Sequence, residues 1–250
     1  MVMPLPKEKD IRFLTLPFQV SPTLKEGNPN LNRLLLVFQK AATDHINELK
    51  LDSAHLSDTQ KMLYVVCRMK GEFVKPFLPD EKLTLVTYPL APEFISFSRE
   101  AYCLNSDNEI VFKLSSTWVL IDGDSRRLLS TKAFKKKAEE NKVCLDDMTP
   151  VFQEPLFDLP KEERKEKEDS FYIVRKEDID NNGHMNNTVY IKLGQDLFLH
   201  KTIRQFEIGF EKECFLGERL SLCSYEYNDH LTVKGYKENG EISFKIKFSY

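Results

Sequence analysis

A short segment in the second half of the chain is dense in side chains that can take part in acid-base chemistry. Asp178–Asn187, with the sequence DIDNNGHMNN, carries two carboxylates, several side-chain amides and one of the five histidines. Histidine titrates near neutrality, and a carboxylate close to it can act as a general acid or base. The residue types therefore predict a site of proton transfer, with Asp180, Asn182 and His184 as candidate residues.

Asn and Asp in this segment also have an ordinary structural explanation, because these residues commonly cap helices and form turns. The segment lies where a predicted strand ends and a predicted helix begins. Backbone N–H groups in the first turn of a helix have no partner within the helix. We expect the N–H groups after His184 to point outward, where they could stabilise a developing oxyanion.

An internal repeat helps to separate capping from catalysis. FQVSPTLKEGNPNLN, which begins at Phe18, lies beside YIVRKEDIDNNGHMN, so that Asn28 falls on Asn182 and Asn30 on His184. Two more segments recur in the same order: FVKPFLPDEKLTL beside FEKECFLGERLSL, and NEIVFKL beside GEISFKI. The first copy forms the same turn without a histidine, so capping does not require one. A duplicated sequence implies a duplicated fold unit, and we predict the site in the second copy.

A second candidate patch is FEKECFLGE, where Glu213 and Cys214 stand side by side at the predicted start of a strand. Neighbours on a strand face opposite sides, so at most one of the two faces the site. The aligned residue for Cys214 in the first copy is Phe77, a core-type residue, which predicts that Cys214 is buried. Glu213 is then the candidate carboxylate. A Cys-His hydrolase with Cys214 as nucleophile is the alternative.

Each copy has the pattern of one helix followed by antiparallel strands. Apolar residues recur at three- and four-residue steps in LNRLLLVFQKAATDHINEL and MNNTVYIKLGQDLFLH, which predicts helices at 31–49 and 185–200. Alternating runs separated by turn signals predict the strands KLTLVTYPL, FISFSREAYCL, EIVFKLSSTWVLID, RLSLCSYEYN, HLTVKGYK and EISFKIKFSY. The predicted fold class is α+β, with two tandem hotdog units, each an antiparallel sheet wrapped around one long helix.

The predicted domains are an N-terminal hotdog unit at 1–145, a linker at 146–170 and a C-terminal catalytic unit at 171–250. Prolines and the charge run KEERKEKED predict the linker. A net charge of -3 argues against a nucleic-acid binder, and five scattered cysteines indicate neither a disulfide framework nor a zinc site. No run is apolar enough for a membrane span or a signal peptide. We expect a cytoplasmic protein without metal or cofactor.

The chain resembles the acyl-acyl-carrier-protein thioesterases of the plant and bacterial fatty-acid type, a tandem-hotdog family. The resemblance rests on LYVVCRMKGEFVKPFLPDEKLTL, SSTWVLIDGDSRRLLS, DIDNNGHMNNTVYIKL and FEKEC. It implies that Asp180, Asn182, His184 and Glu213 are catalytic and that the first unit holds the acyl-chain tunnel. The implied substrate is an acyl chain on the 4'-phosphopantetheine arm of an acyl carrier protein.

The resemblance implies hydrolysis of the thioester to a free fatty acid and holo carrier protein, which terminates fatty acid synthesis. Attack by a water that Glu213 and Asp180 deprotonate, and direct attack by a carboxylate to give an anhydride, both stay open. Acyl-coenzyme A hydrolysis and a non-catalytic acyl-binding module are the alternative functions. Gly194 and Gln195 replace the aromatic and acidic residues that the family more often has, which bears on substrate preference.

Acyl carrier proteins are acidic as a class and this chain is net acidic, so docking needs a local basic surface. Basic residues cluster in SRRLLS and TKAFKKK. The predicted docking residues are Arg126, Arg127, Lys132, Lys135, Lys136 and Lys137. A solvated helix face is the alternative explanation of this cluster. A homodimer also stays open, although two copies in one chain could satisfy the pairing that single hotdog units seek.

Overall fold

The computed structural model describes residues 6, 10–20, 28–57, 60–153, 168–180, 182–198 and 201–250. The α-helices in this part of the chain are α1 (Leu31–Glu48), α2 (Ser53–Leu56), α3 (Lys132–Glu140) and α4 (Asn187–Asp196). The strands are β1 (Leu14–Gln19), β2 (Met62–Phe73), β3 (Lys82–Pro89), β4 (Ser96–Leu104), β5 (Ile110–Asp122), β6 (Leu128–Leu129), β7 (Ser170–Ile173), β8 (Gln205–Phe210), β9 (Arg219–Glu226), β10 (His230–Lys237) and β11 (Ile242–Ser249).

The chain forms two compact units that interleave along the sequence. Unit 1 comprises Met1–Phe18, Val37–Val66 and Lys82–Gln153, and unit 2 comprises Gln19–Leu36, Cys67–Glu81 and Glu154–Tyr250. Each unit therefore draws on separated stretches of chain. The domain division predicted at 1–145 and 171–250 stays a prediction, and residues 154–167 of the predicted linker lie outside the described residues.

Unit 1 contains an antiparallel sheet in which β4 pairs with β3 and with β5, and β6 pairs with the end of β5. Its core gathers apolar side chains from several elements, including Leu49, Met62, Phe97 and Leu120. The α3 helix joins this core through Phe134, which stacks on Phe97 with ring centroids 5.0 Å apart. Most residues of α3 are polar, so its sequence indicates a solvated helix face and does not reveal that Phe134 packs in the core.

Unit 2 contains an antiparallel sheet in the order β2, β8, β11, β10, β9 and β7, with β2 contributing from Cys67 onward. The α4 helix packs on β11 at Gly194. A Cβ atom there would come within 2.6 Å of the Ile246 side chain, so only glycine permits this close approach. The helix predicted at 185–200 is shorter in the structure, where α4 spans Asn187–Asp196. Residues 199–200 lie outside the described part of the chain.

Two buried amide side chains fix the start of α1 within unit 2. Asn28 is 3% exposed and bonds to backbone on both sides, donating to Lys201 O and accepting from Ile203 N at 2.7 Å each. Gln195 accepts from the first amide of α1, Leu31 N, at 3.1 Å. Because buried polar groups are costly unless they are bonded, both amides have a structural function. The unusual Gln195 therefore serves the packing of the two helices.

Two titratable side chains lie buried in unit 1 on β4 and α1. The Glu100 carboxylate accepts hydrogen bonds from Ser115 Oγ at 2.6 Å and Val151 N at 2.9 Å. Burial raises the pKa of Glu100 to about 7. Burial also lowers the pKa of His45 to about 4, and Nδ1 of this histidine accepts from Arg99 at 3.1 Å. Unit 1 therefore folds best with both side chains neutral.

We predict that Glu100 makes unit 1 less stable as the pH rises. Its folded-state pKa lies above the ordinary value of 4.5, so its contribution is complete below about pH 4.5 and is lost as the pH passes through 7. Neutral His45 acts in the other direction, but only below its ordinary pKa of 6.5. Between about pH 6.5 and 8 the free energy of unfolding should fall by about 1 kcal/mol through Glu100 alone.

Urea unfolding of the wild type and of Glu100→Gln at several pH values measures this slope. Glutamine keeps an acceptor and a donor beside Ser115 and Val151 but cannot ionise. The variant should therefore lose the decline between pH 6.5 and 8. Equal slopes in the two proteins would show that ionisation of Glu100 does not drive the pH dependence.

Candidate active site

A tight turn after β7 presents the histidine of the candidate site. Asp180 N donates to His184 O at 2.8 Å, and Gly183 N donates to Asp180 O at 3.0 Å. Gly183 has a φ of 83°, which a residue with a side chain rarely adopts. The Asp180 carboxylate accepts from the backbone N–H of Asn182 at 2.8 Å and of His184 at 3.3 Å. Asp180 thus shapes the turn, while Asn182 is exposed.

The amides that follow the histidine are occupied by other partners. Met185 N donates to Cys214 O at 2.8 Å, and Asn186 N donates to Asp178 O at 2.8 Å. Asn186 is the N-cap of α4, and its side chain accepts from Thr188 N at 2.9 Å. We expected amides of this segment to point outward and hold an oxyanion. That expectation is wrong for these three amides, because the neighbouring loop and the cap already bind them.

Glu213 lies in the loop between β8 and β9, not at the start of a strand as the sequence predicted. The prediction failed because the alternating pattern resumes only at Arg219. The loop brings Glu213 Oε1 to 3.5 Å from His184 Nδ1. The side chains of His184 and Glu213 are 21% and 36% exposed, so water can reach the pair. The candidate histidine and carboxylate therefore meet within unit 2.

Cys214 faces the interior, which confirms the prediction made from its first-copy counterpart. It is fully buried, and its Sγ lies 3.0 Å from Ser243 Oγ. Its backbone N–H donates to Tyr190 Oη at 3.2 Å. Burial raises the pKa of the Cys214 thiol, which opposes formation of the reactive thiolate. The structure thus separates the neighbours: Glu213 turns to the histidine and Cys214 to the core.

Sequence reasoning missed two residues that contact this pair. The Phe215 ring meets the His184 ring edge-on, with centroids 5.1 Å apart and an interplanar angle of 82°. Lys237 Nζ, at the end of β10, donates to Glu213 O at 2.9 Å. The position of Phe215 directly after Glu213 and Cys214 was a sequence signal that could have identified it. No pattern in the sequence indicates Lys237, because its contact depends on how β10 meets the loop.

The predicted docking residues all lie in unit 1. Arg126 and Arg127 are exposed in the turn between β5 and β6, and the four lysines lie on α3. Lys136 and Lys137 are 3.9 Å and 3.4 Å from carboxylate oxygens of Glu140, so part of the basic charge is offset within the helix. The helix therefore presents a basic but partly compensated surface.

Neither a metal-binding cluster nor a membrane-spanning helix is found in the part of the chain that the structure describes. No group of three or more His, Cys, Asp or Glu side chains there could hold a metal ion. None of the helices in the same residues combines the length and the apolar character that crossing a membrane requires.

Comparison with known proteins gives matches to both halves of the chain. The model of the acyl-ACP thioesterase N-terminal domain matches residues 23–133, and that of the acyl-ACP thioesterase C-terminal domain matches residues 161–249. No curated protein sequence matches the chain significantly.

Two solved structures are similar over almost their whole length. An acyl-ACP thioesterase from Bacteroides thetaiotaomicron VPI-5482 has 19% sequence identity and a TM-score of 0.82, covering 97% of this chain and 99% of its own. The 12:0-ACP thioesterase from Umbellularia californica has 14% identity and a TM-score of 0.81, covering 95% of this chain and 96% of its own. These neighbours confirm the predicted hotdog fold class. The matched domains, together with this fold, show that the chain belongs to the acyl-ACP thioesterase family.

Proposed function

We propose that Glu213 and His184 carry out the reaction that family membership assigns to this chain, the hydrolysis of an acyl-ACP thioester in fatty acid synthesis. The observation that carries this assignment is the 3.5 Å separation of His184 Nδ1 and Glu213 Oε1, with both side chains open to water. A carboxylate at this distance can orient the imidazole and share a proton with it. The same segment of the first copy has no such pair.

Glu213 takes a proton from a water molecule, whose oxygen then attacks the carbonyl carbon of the thioester. The carbon–sulfur bond breaks, and the proton returns to the departing thiolate of the carrier arm. His184 faces Glu213 through Nδ1, which leaves Nε2 on the other side of its ring for the reacting groups. The exposed Asn182 amide donates to the acyl oxygen. Asp180, which we expected to share the water, is engaged by backbone amides, and this supports a role in shaping the turn.

The Cys-His alternative has less support. A nucleophilic cysteine needs a depressed pKa and an adjacent base. Cys214 instead has a raised pKa from burial and a contact with Ser243 Oγ on the core side of the loop. Glu213 is the residue of this neighbouring pair that approaches His184. These contacts support a carboxylate mechanism.

The basic helix α3 is the proposed contact for the carrier protein. Acyl carrier proteins are acidic, and exposed lysines steer such partners through electrostatic attraction. Lys132, Lys135 and Lys136 are exposed on α3 and Lys137 is half-buried, with Arg126 and Arg127 exposed nearby in sequence. Two expectations from the sequence, a homodimer and a cytoplasmic location, stay predictions.

The first prediction for this function compares the two neighbouring residues of the β8–β9 loop. Glu213→Ala should lower kcat by about two orders of magnitude, the usual scale for removing a general base. Cys214→Ala should keep most of the activity, because the thiol packs in the core and Glu213 is the side chain that approaches His184. Steady-state kinetics on acyl-ACP measures both. An inactive Cys214→Ala beside an active Glu213→Ala would establish the thiol mechanism instead.

The second prediction concerns carrier-protein docking. Reversing Lys135, Lys136 and Lys137 to Glu should raise KM for acyl-ACP on the order of tenfold, because attraction becomes repulsion. KM for a small acyl thioester without the carrier protein should stay unchanged, since that substrate does not need the surface. Changing the same lysines to Gln is the matched control for helix stability and should have a smaller effect. Equal loss on both substrates would contradict docking at α3.

A further inference from the structure

The loop that carries Glu213 also presents two large apolar side chains to solvent. Phe215 is 44% exposed and Leu216 is 61% exposed. Single exposed apolar residues are common and need no explanation by themselves. Phe215 differs from Leu216 because its ring lies against the His184 ring, with centroids 5.1 Å apart and an interplanar angle of 82°. Rings in an edge-to-face arrangement attract one another and favour one relative orientation.

The backbone under Phe215 is fixed by hydrogen bonds on each side. Phe215 N donates to the Glu218 carboxylate at 3.1 Å, and Glu218 N donates back to Phe215 O at 3.1 Å. Gly217 N donates to Val174 O at 2.9 Å and has a φ of 83°, which suits glycine in a tight turn. A ring on a backbone held in this way can fix the orientation of a neighbour.

Lys237 braces the same loop from β10. Its Nζ donates to Glu213 O at 2.9 Å and lies 2.9 Å from the Glu218 carboxylate. The same Nζ lies 5.6 Å from the centre of the Phe215 ring, within the range of a cation–π contact. The lysine side chain is only 17% exposed. Phe215 therefore contacts Lys237 as well as His184.

The His184 ring needs more than one contact to keep a single orientation. The distance of 3.5 Å between Nδ1 and Glu213 Oε1 restrains one edge of the ring but permits rotation about the side-chain bonds. The contact with Phe215 supplies a second restraint. We propose that Phe215 is a positioning residue, which holds the His184 imidazole with Nδ1 towards Glu213 and Nε2 towards the substrate. This inference rests on the proposed function of His184 and Glu213.

Phe215→Leu tests the inference because it keeps an apolar side chain and removes the ring. In kinetics on acyl-ACP, kcat should fall roughly tenfold while KM changes less than about twofold, since misplacement of a catalytic group acts on the chemical step. Phe215→Tyr keeps the ring, so its kcat should stay within about twofold of the wild-type value. Leu216→Ala, at the next and more exposed position, is the matched control and should leave both constants unchanged. A raised KM with unchanged kcat would make Phe215 a substrate contact and overturn the inference.

A second measurement reports on the ring contact without turnover. In protein with isotope-labelled histidines, the NMR signals that disappear in His184→Asn are those of the His184 ring. Phe215→Leu should shift those signals through loss of the ring current and leave the buried His45 signals in place. Unmoved His184 signals would overturn the inference.

The same His184→Asn variant separates this inference from the proposed function. Full activity in that variant would overturn the proposed function and, with it, the positioning role of Phe215. An inactive His184→Asn together with normal kinetics in Phe215→Leu would overturn the positioning role alone.

Discussion

The candidate site depends on one backbone hydrogen bond between segments that are far apart in the sequence. Met185 N donates to Cys214 O at 2.8 Å and joins the turn that carries His184 to the loop that carries Glu213. Both residues of the bond are buried. Such a bond adds only about 1 kcal/mol net, but leaving its groups unpaired in the interior would cost more. The bond therefore sets the register of the two segments, and the distance from His184 to Glu213 follows from that register.

Cys214 anchors this arrangement because it is small enough to be buried next to the partly exposed Glu213. Its carbonyl accepts from Met185, its N–H donates to Tyr190 and its thiol contacts Ser243. With the loop fixed at this residue, the preceding Glu213 is directed outward without needing a strand. A cysteine at this place thus contributes to the geometry of the site, and burial raises the pKa of its thiol, which opposes formation of the thiolate.

Local patterns predicted the regular elements well, and long-range contacts decided the rest. The apolar periodicity predicted a helix at 31–49, and α1 spans Leu31–Glu48. The β8–β9 loop was misassigned as a strand start, because its conformation comes from bonds to Val174, Tyr190 and Lys237 rather than from its own pattern. The repeat correctly indicated a buried Cys214. No local pattern could show that the amides after His184 are already bonded, since their partners depend on the tertiary fold.

The two copies of the turn differ in the burial of their equivalent asparagines. Asn28 and Asn182 occupy the same position in the repeat, but Asn28 is 3% exposed and bonded to backbone through both atoms of its amide. Asn182 is exposed, and the bond that fixes its part of the turn uses its backbone N–H and the Asp180 carboxylate. A side chain that is buried and held to the backbone in this way is not accessible to a substrate. In the second copy the Asp180 carboxylate holds the turn through backbone amides, so the turn does not need the side chains of Asn182 and His184, which is consistent with the roles proposed for them.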